Sequence, residues 1–438
     1  MTHTSQPSKT TPTRTRNKRP IDPDWIREIC LAAGADDVGF VSIDNEAVRS
    51  ERDRILPVFP KARTLVSFVV RTSRGPLRSP DRSLANNEFH ARGHDVDDVG
   101  RALVRALEDR GIEAINPSMG FPMNMDNWPE PWLISHKPIA VAAGLGAMGI
   151  HRCVIHPKFG NFILLGTVIL EEEVAELSQP LDYNPCLKCK LCVAGCPTGA
   201  IKSDGAFDFS ACYTHNYREF MTGFGDWVET VADSGSAKEY RKRVEDKETV
   251  SMWQSLGFGP NYKAAYCIGV CPAGEDVIAP FLDNRKGFLN DVVKPLQKKE
   301  EVIYAMKGSD AADYVTKRFP HKELKHVSSG LRPVSAASFI RFLPFLFQPG
   351  QSKGLDAVYH FDFNGAETQQ HTVRISDATI SVEEGLIGKA DLHMRADSKT
   401  WVAFLRKDVG LLRALITRKI KLSGDPRLLI AFSKCFPS

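Results

Sequence analysis

The sequence has no apolar run long enough to span a bilayer and no apolar segment behind its basic N-terminus, so neither membrane insertion nor export is expected. It lacks charge of one sign as well. Against 53 Asp and Glu stand 57 Lys and Arg, and a net charge of +4 gives no strong field for nucleic acid or an anionic membrane. No internal repeat is present, which excludes solenoids. The ten cysteines do not form a disulfide pattern: seven lie between positions 186 and 271 at ligand spacing. The other three, Cys30, Cys153 and Cys435, stand singly in apolar stretches and read as small buried hydrophobes. A cytoplasmic location is expected.

What is there supports several domains. At 438 residues, 42% hydrophobic and 25% charged, the chain can build two or three separate cores. Residues 1–20 carry Lys9, Arg14, Arg16, Lys18 and Arg19 with no acid, and are expected to be a disordered basic tail. Residues 21–178 read as an α/β sandwich domain. There Asp22 caps a first helix that Gly34 ends, strands are predicted over 38–43, 64–70, 112–115 and 162–170, and Val96, Val99, Leu103 and Leu107 repeat at helical spacing. Residues 179–295 read as a small ferredoxin-like domain with a charged helical insertion at 237–250, and 296–350 as linker and helices. Residues 351–438 read as an α+β domain, with short strands around Phe361, Val373, Ile380 and Leu392, then a helical pattern from Trp401 to Ile416. The fold class is therefore multidomain, α/β together with α+β.

Cys186-x2-Cys189-x2-Cys192-x3-Cys196-Pro197 is the bacterial ferredoxin spacing, in which three cysteines wrap one cube and the fourth turns away to another. Zinc sites more often use two separated pairs. The second group is Cys212, then Cys267-x3-Cys271-Pro272. By two-cluster logic Cys271 completes a 4Fe-4S cube with Cys186, Cys189 and Cys192, leaving Cys196, Cys212 and Cys267 for a second. The expected fourth member of that set is Ala264. The second site is then a 3Fe-4S centre, a 4Fe-4S centre with a ligand other than cysteine, or degenerate. His215 is a candidate ligand, with a structural histidine as the alternative.

With these residues placed, the region from about 21 to 290 resembles the epoxyqueuosine reductase and reductive dehalogenase superfamily. The cysteine pattern, including the isolated Cys212, is one part of the likeness. A second is the segment Gly144-Leu145-Gly146-Ala147-Met148-Gly149 continued by His156-Pro157-Lys158-Phe159-Gly160, and a third is Asp126-x2-Pro129. The resemblance implies two 4Fe-4S clusters feeding a corrinoid of the cobalamin type, with Gly144, Gly146, Gly149 and His156 as cofactor contacts and Asp126 or His136 as the acid. The glycines also spell a dinucleotide fingerprint, but Pro157 and Gly160 leave no room for the helix that a Rossmann turn must open. A tight turn packed on the sheet is the plainer reading of the same glycines. The Asp-x-His-x2-Gly segment of histidine-ligated corrinoid proteins is absent.

A second resemblance covers the end of the chain. The strand around Val358 and Phe363, Asp391-Leu392-His393-Met394-Arg395-Ala396-Asp397, and Lys419-Ile420-Lys421-Leu422-Ser423-Gly424-Asp425 are similar to the sterol carrier protein lipid-binding domain. It implies an apolar tunnel for a lipid-like molecule; a filled core gives the same pattern. Together the modules point to an iron-sulfur reductase that takes electrons from a reduced ferredoxin or flavodoxin-type donor. It is expected to cleave or deoxygenate a hydrophobic small molecule, without a nucleic-acid partner. Two other readings are an electron-transfer protein whose C-terminal domain docks or binds lipid, and a lipid-transfer protein on a degenerate scaffold.

Overall fold

The computed structural model describes residues 19–127, 131–186 and 188–437. All but the last two residues of the expected basic tail fall outside them, as does Pro129. The architecture is multidomain and mixed α/β, as the sequence predicts.

The first helix, Pro23–Ala32, begins where the Asp22 side chain accepts the Asp24 N–H at 3.0 Å, with Pro23 in its first turn, and it buries Ile26 and Cys30. Strands β1 (Asp37–Ser42), β2 (Thr64–Arg71) and β3 (Ala114–Ile115), a hairpin of β4 (Ala147–Met148) and β5 (Val154–Ile155), and β6 (Ile163–Leu170) follow. The main sheet runs β1-β2-β6-β3, antiparallel throughout. Strand β2 is buried on both faces, which is why it reads as an unbroken apolar run. Val66 and Phe68 meet the helices Pro23–Ala32 and Arg82–Glu108 on one side. On the other, Leu65 and Val69 meet Ile139 and Ala140 of helix His136–Ala142. Helix Arg82–Glu108 starts well before the predicted 96, because its first half is polar and carries little helical periodicity.

In the cysteine-rich unit two short helices, Leu191–Gly195 and Tyr266–Gly269, pack on each other, and a Cβ at Gly195 would stand 3.3 Å from Val270. Between them runs the longer helix Phe209–Asn216. Residues 296–350, expected as linker and helices, are more ordered than that. Strands β7 (Val302–Ala305) and β8 (Glu323–His326) pair in parallel, with helix Asp310–Arg318 between them. Ala305, Ala311 and Ala312 share a core with the cluster cysteines. Four-residue strands around a charged segment give too short a period-2 signal to read.

The last unit is a five-stranded sheet of β9 (Ala357–Asn364), β10 (Gln369–Ser376), β11 (Thr379–Glu384), β12 (Leu392–Asp397) and β13 (Ile420–Gly424), in the order β11-β10-β9-β12-β13. Only its β9–β12 pair is parallel. Helix Ala336–Leu346 belongs here too, driving Phe339, Ile340 and Leu343 into the core against Phe361 and Trp401. Among the described residues no helix is long and apolar enough to cross a membrane.

Candidate iron-sulfur site

Cys186, Cys189, Cys192 and Cys271 line one cavity of about 180 Å³ together with His151 and Lys188. Lys188 and Lys190 both take left-handed backbone angles, φ 55° and 56°, which curl the chain so that consecutive thiols face the same space. The Ile150 N–H donates to Cys186 Sγ at 3.4 Å, and backbone N–H groups of Leu191 and Val193 point at Cys189 and Cys192. Burial pushes the Cys192 thiol up to about 12, with the three neighbouring cysteines adding to it. Such a site resists holding four bare thiolates and suits a cationic iron core that neutralises them. Cys271, and not the sequence-adjacent Cys196, closes this group, as two-cluster logic requires.

The remaining cysteines form a second set. Cys212 lies within electrostatic reach of Cys196, and Cys267 within reach of both. One expectation fails here: Cys153 is no isolated hydrophobe. Its thiol is in hydrogen-bond contact with Cys267 and within reach of Cys212. Cys30 and Cys435 do behave as small hydrophobes, fully buried with their thiols pushed up by burial. No sequence spacing flags Cys153, which sits far from the cysteine run. Its only signal is proximity to the glycine segment.

His215 does not join the second set. Its Nδ1 accepts the Tyr304 N–H at 3.3 Å, and burial pushes its pKa down to about 4. Ala264 is buried, with its N–H donated to Asn216 Oδ1 at 2.9 Å. His151, by contrast, lies between the two sets, beside the Cys153 and Cys271 thiols, with Nδ1 accepting the Cys153 N–H at 3.1 Å and Asn161 Nδ2 at 3.2 Å from Nε2. Burial opposes its charge, the two thiols outweigh burial, and its pKa is raised to about 10.

Among the described residues no three His, Cys, Asp or Glu side chains are close enough together to hold a single metal ion. With bonds of about 2.3 Å, one zinc would draw its sulfurs to within about 3.8 Å of each other. A cube binds each thiolate to a different iron and keeps them further apart. The donor set therefore fits clusters.

The other predicted site residues are scattered. Asp126 is exposed on the turn Met125–Asn127, its N–H donated to Asn124 Oδ1 at 3.2 Å. His136 is buried, with Nδ1 2.9 Å from Thr167 Oγ1 and Nε2 3.2 Å from the Ser118 carbonyl, and burial lowers its pKa. One tautomer satisfies both contacts, with Nε2–H donating to Ser118 and the Thr167 hydroxyl donating to Nδ1. That is a structural ring. At Gly144 and Gly146 the space a Cβ would need is taken by the carbonyls of Gln179 and Ile155, each 2.5 Å away. His156 Nε2 is 3.0 Å from Asp37 Oδ2, and its Nδ1 accepts the Lys158 N–H at 3.1 Å. Close backbone packing thus accounts for these glycines, and the segment offers no open cradle for a corrinoid.

Residues 348–437 match the SCP-2 sterol transfer family. A part of the chain is similar to epoxyqueuosine reductases. It is 26% identical over 186 residues to the epoxyqueuosine reductase of Lactococcus garvieae (strain Lg2), covering 42% of this chain and 48% of that protein. The chain spans about half the length, or less, of the curated relatives it matches. Among solved structures, an epoxyqueuosine reductase with a tRNA-Tyr epoxyqueuosine-modified stem loop is 19% identical, with a TM-score of 0.32 over 44% of this chain and 56% of that one. A reductive dehalogenase described for B12-dependent dehalogenation is 14% identical, with a TM-score of 0.39 over 66% of this chain and 40% of the other. The curated relatives are named as reductases of epoxyqueuosine, and their names carry no hydrophobic small-molecule substrate of the kind expected from the sequence.

Proposed function

We propose that the chain is a cytoplasmic iron-sulfur reductase that carries single electrons through two clusters to an acceptor at the α/β domain. The observation that carries this reading is the convergence of Cys186, Cys189, Cys192 and Cys271 in one cavity, with a second cysteine set across His151. Clusters supply one-electron steps that side chains cannot, and the protein tunes them through N–H···S contacts such as Ile150 to Cys186. A reduced ferredoxin or flavodoxin-type protein fits as donor. A corrinoid is the acceptor the resemblance implies; when bound it would supply the reductive step. Gly144, Gly146 and His156 are engaged within the fold and do not form a cradle for it.

For substrate the reading follows the relatives' name: reductive deoxygenation of an epoxide carried on tRNA. Two electrons and two protons remove the epoxide oxygen as water, and both C–O bonds give way to a C=C bond. Asp126 is the exposed carboxyl available to deliver a proton, and His136, closed into the core, is not. The test is anaerobic purification followed by iron, sulfide and corrinoid analysis, then incubation with reduced flavodoxin and an epoxyqueuosine-modified stem loop. Conversion that is lost in Cys186→Ala supports the reading, and a chain that takes up no iron or sulfide ends it. With Asp126→Asn, turnover is expected to drop at least tenfold while cluster spectra stay unchanged.

A second reading, electron transfer with a docking C-terminal domain, draws on one contact. Helix Phe209–Asn216, which bears Cys212, packs Phe209 against Phe345 of the C-terminal unit at 5.6 Å. Clusters that cycle with flavodoxin while no substrate is reduced would favour it.

A further inference from the structure

The ferredoxin pattern leaves the second cluster one thiolate short, because Ala264 stands where the pattern places a cysteine. Nothing near Ala264 replaces it: that residue is buried and hydrogen-bonded through its backbone, and His215 faces β7. We propose that Cys153, from the α/β domain, is the fourth thiolate ligand, so that Cys153, Cys196, Cys212 and Cys267 hold a complete 4Fe-4S cube. This rests on the iron-sulfur reading above.

Geometry carries the assignment. Four thiols line the first cavity, and outside it Cys153 falls with Cys267 and Cys212, and those two with Cys196. Cys153 touches Cys267 directly and lies near Cys212, while Cys212 and Cys267 both lie near Cys196. Cys153 is also built into place. It closes the turn between β4 and β5, where the Gly149 N–H donates to the Cys153 carbonyl at 2.9 Å and the Arg152 N–H to the Gly149 carbonyl at 2.9 Å. Arg152 takes φ 63°, a left-handed conformation costly for a residue with a long side chain, and it turns the chain at the position before the thiol. The same turn serves the first cluster, since the Ile150 N–H reaches Cys186 Sγ and the His151 ring spans Cys153 and Cys271. One hairpin of the α/β domain thus contacts both clusters, and its cysteine would tie the two domains together through iron.

The test uses the full chain, reconstituted anaerobically with iron and sulfide. The parent is expected to hold about eight iron per chain, with no 3Fe-4S EPR signal when oxidised. In Cys153→Ala, iron should fall to about seven with a 3Fe-4S signal in the oxidised protein, or to about four, with the first cluster's reduced signal retained as evidence that the chain folds. A parent that already shows the oxidised 3Fe-4S signal overturns the proposal, as does a Cys153→Ala protein with parental iron and spectra. Cys212→Ala separates this from failure of the wider reading. If Cys212→Ala removes the second cluster while Cys153→Ala changes nothing, only the assignment of Cys153 falls; if neither changes anything, there is no second cluster.

Discussion

His215 holds its ring between helix Phe209–Asn216 and β7, where Nδ1 accepts the Tyr304 N–H and stacking on Tyr304 places the centroids 6.1 Å apart. Replacing it with Ala leaves that buried N–H without an acceptor, at a cost of about 1–3 kcal/mol. The expected outcome is a lower urea midpoint with unchanged cluster EPR; a lost or altered second cluster would make His215 a ligand after all. Asp37 sets a pH dependence at the same scale. Burial works to raise its pKa, but hydrogen bonds from His156 and from the Val38 N–H outweigh burial and leave it lowered. A carboxyl whose folded pKa lies below its unfolded value of about 3.9 stabilises the fold above that value, and the contribution is lost as pH falls through the folded pKa. Asp37→Asn should therefore be less stable than the parent at pH 7, with the gap in urea midpoint closing below about pH 4. An equal gap at both pH values would mean that ionisation of Asp37 plays no part.

At the scale of elements, helix Ala336–Leu346 shows how a segment between domains becomes part of a core. Its first turn is held by a Ser335–Ser338 capping box and by Glu367, whose two oxygens accept the Ala336 and Ala337 N–H groups at 3.0 Å each. Its apolar face sets Phe339 against Phe361 and Trp401 at 5.4 and 5.3 Å between ring centroids. Phe339→Ala should cost about 3–5 kcal/mol, read as a lower melting transition of the C-terminal domain with the clusters intact. The turn ending at Gly160 makes the corresponding joint on the cluster side. Gly160 has φ 65°, a Cβ there would run into the Ala273 carbonyl, and the Glu275 N–H donates to the Pro157 carbonyl at 2.8 Å. The loop after Cys271 is thereby fixed to the α/β domain, which aims that thiol into the first cavity.

Across the whole molecule the C-terminal unit meets the cysteine-rich unit at helix Phe209–Asn216. Phe342 and Leu331 share a core with Tyr213, one residue beyond Cys212, and Gln348 Nε2 donates to the buried Ser210 Oγ at 3.2 Å. Placing a charge in that joint with Phe342→Asp should release the C-terminal domain to limited proteolysis and change the second cluster's EPR line shape while leaving the first unaltered. Equal effects on both clusters would mean a general loss of fold. The first helix, the central strand β2 and the grouping of Cys186, Cys189, Cys192 and Cys271 could be read from the sequence, because each rests on local rules: a capping aspartate, an apolar run, a two- and three-residue cysteine spacing. Helix Ala336–Leu346 hid inside an apparent linker, and the β7–β8 pair was too short for its period to register. Cys153 was out of reach for a different reason. By itself the sequence determined that seven cysteines fall at ligand spacing and that Cys271 groups with Cys186, Cys189 and Cys192, since such spacing is a property of neighbouring residues. Only the tertiary structure decided that Cys153 lies beside Cys267 and that the rings of His215 and His136 are engaged within the fold. Convergence in space depends on how the β4–β5 turn packs against the cluster helices, and no short segment of sequence encodes that.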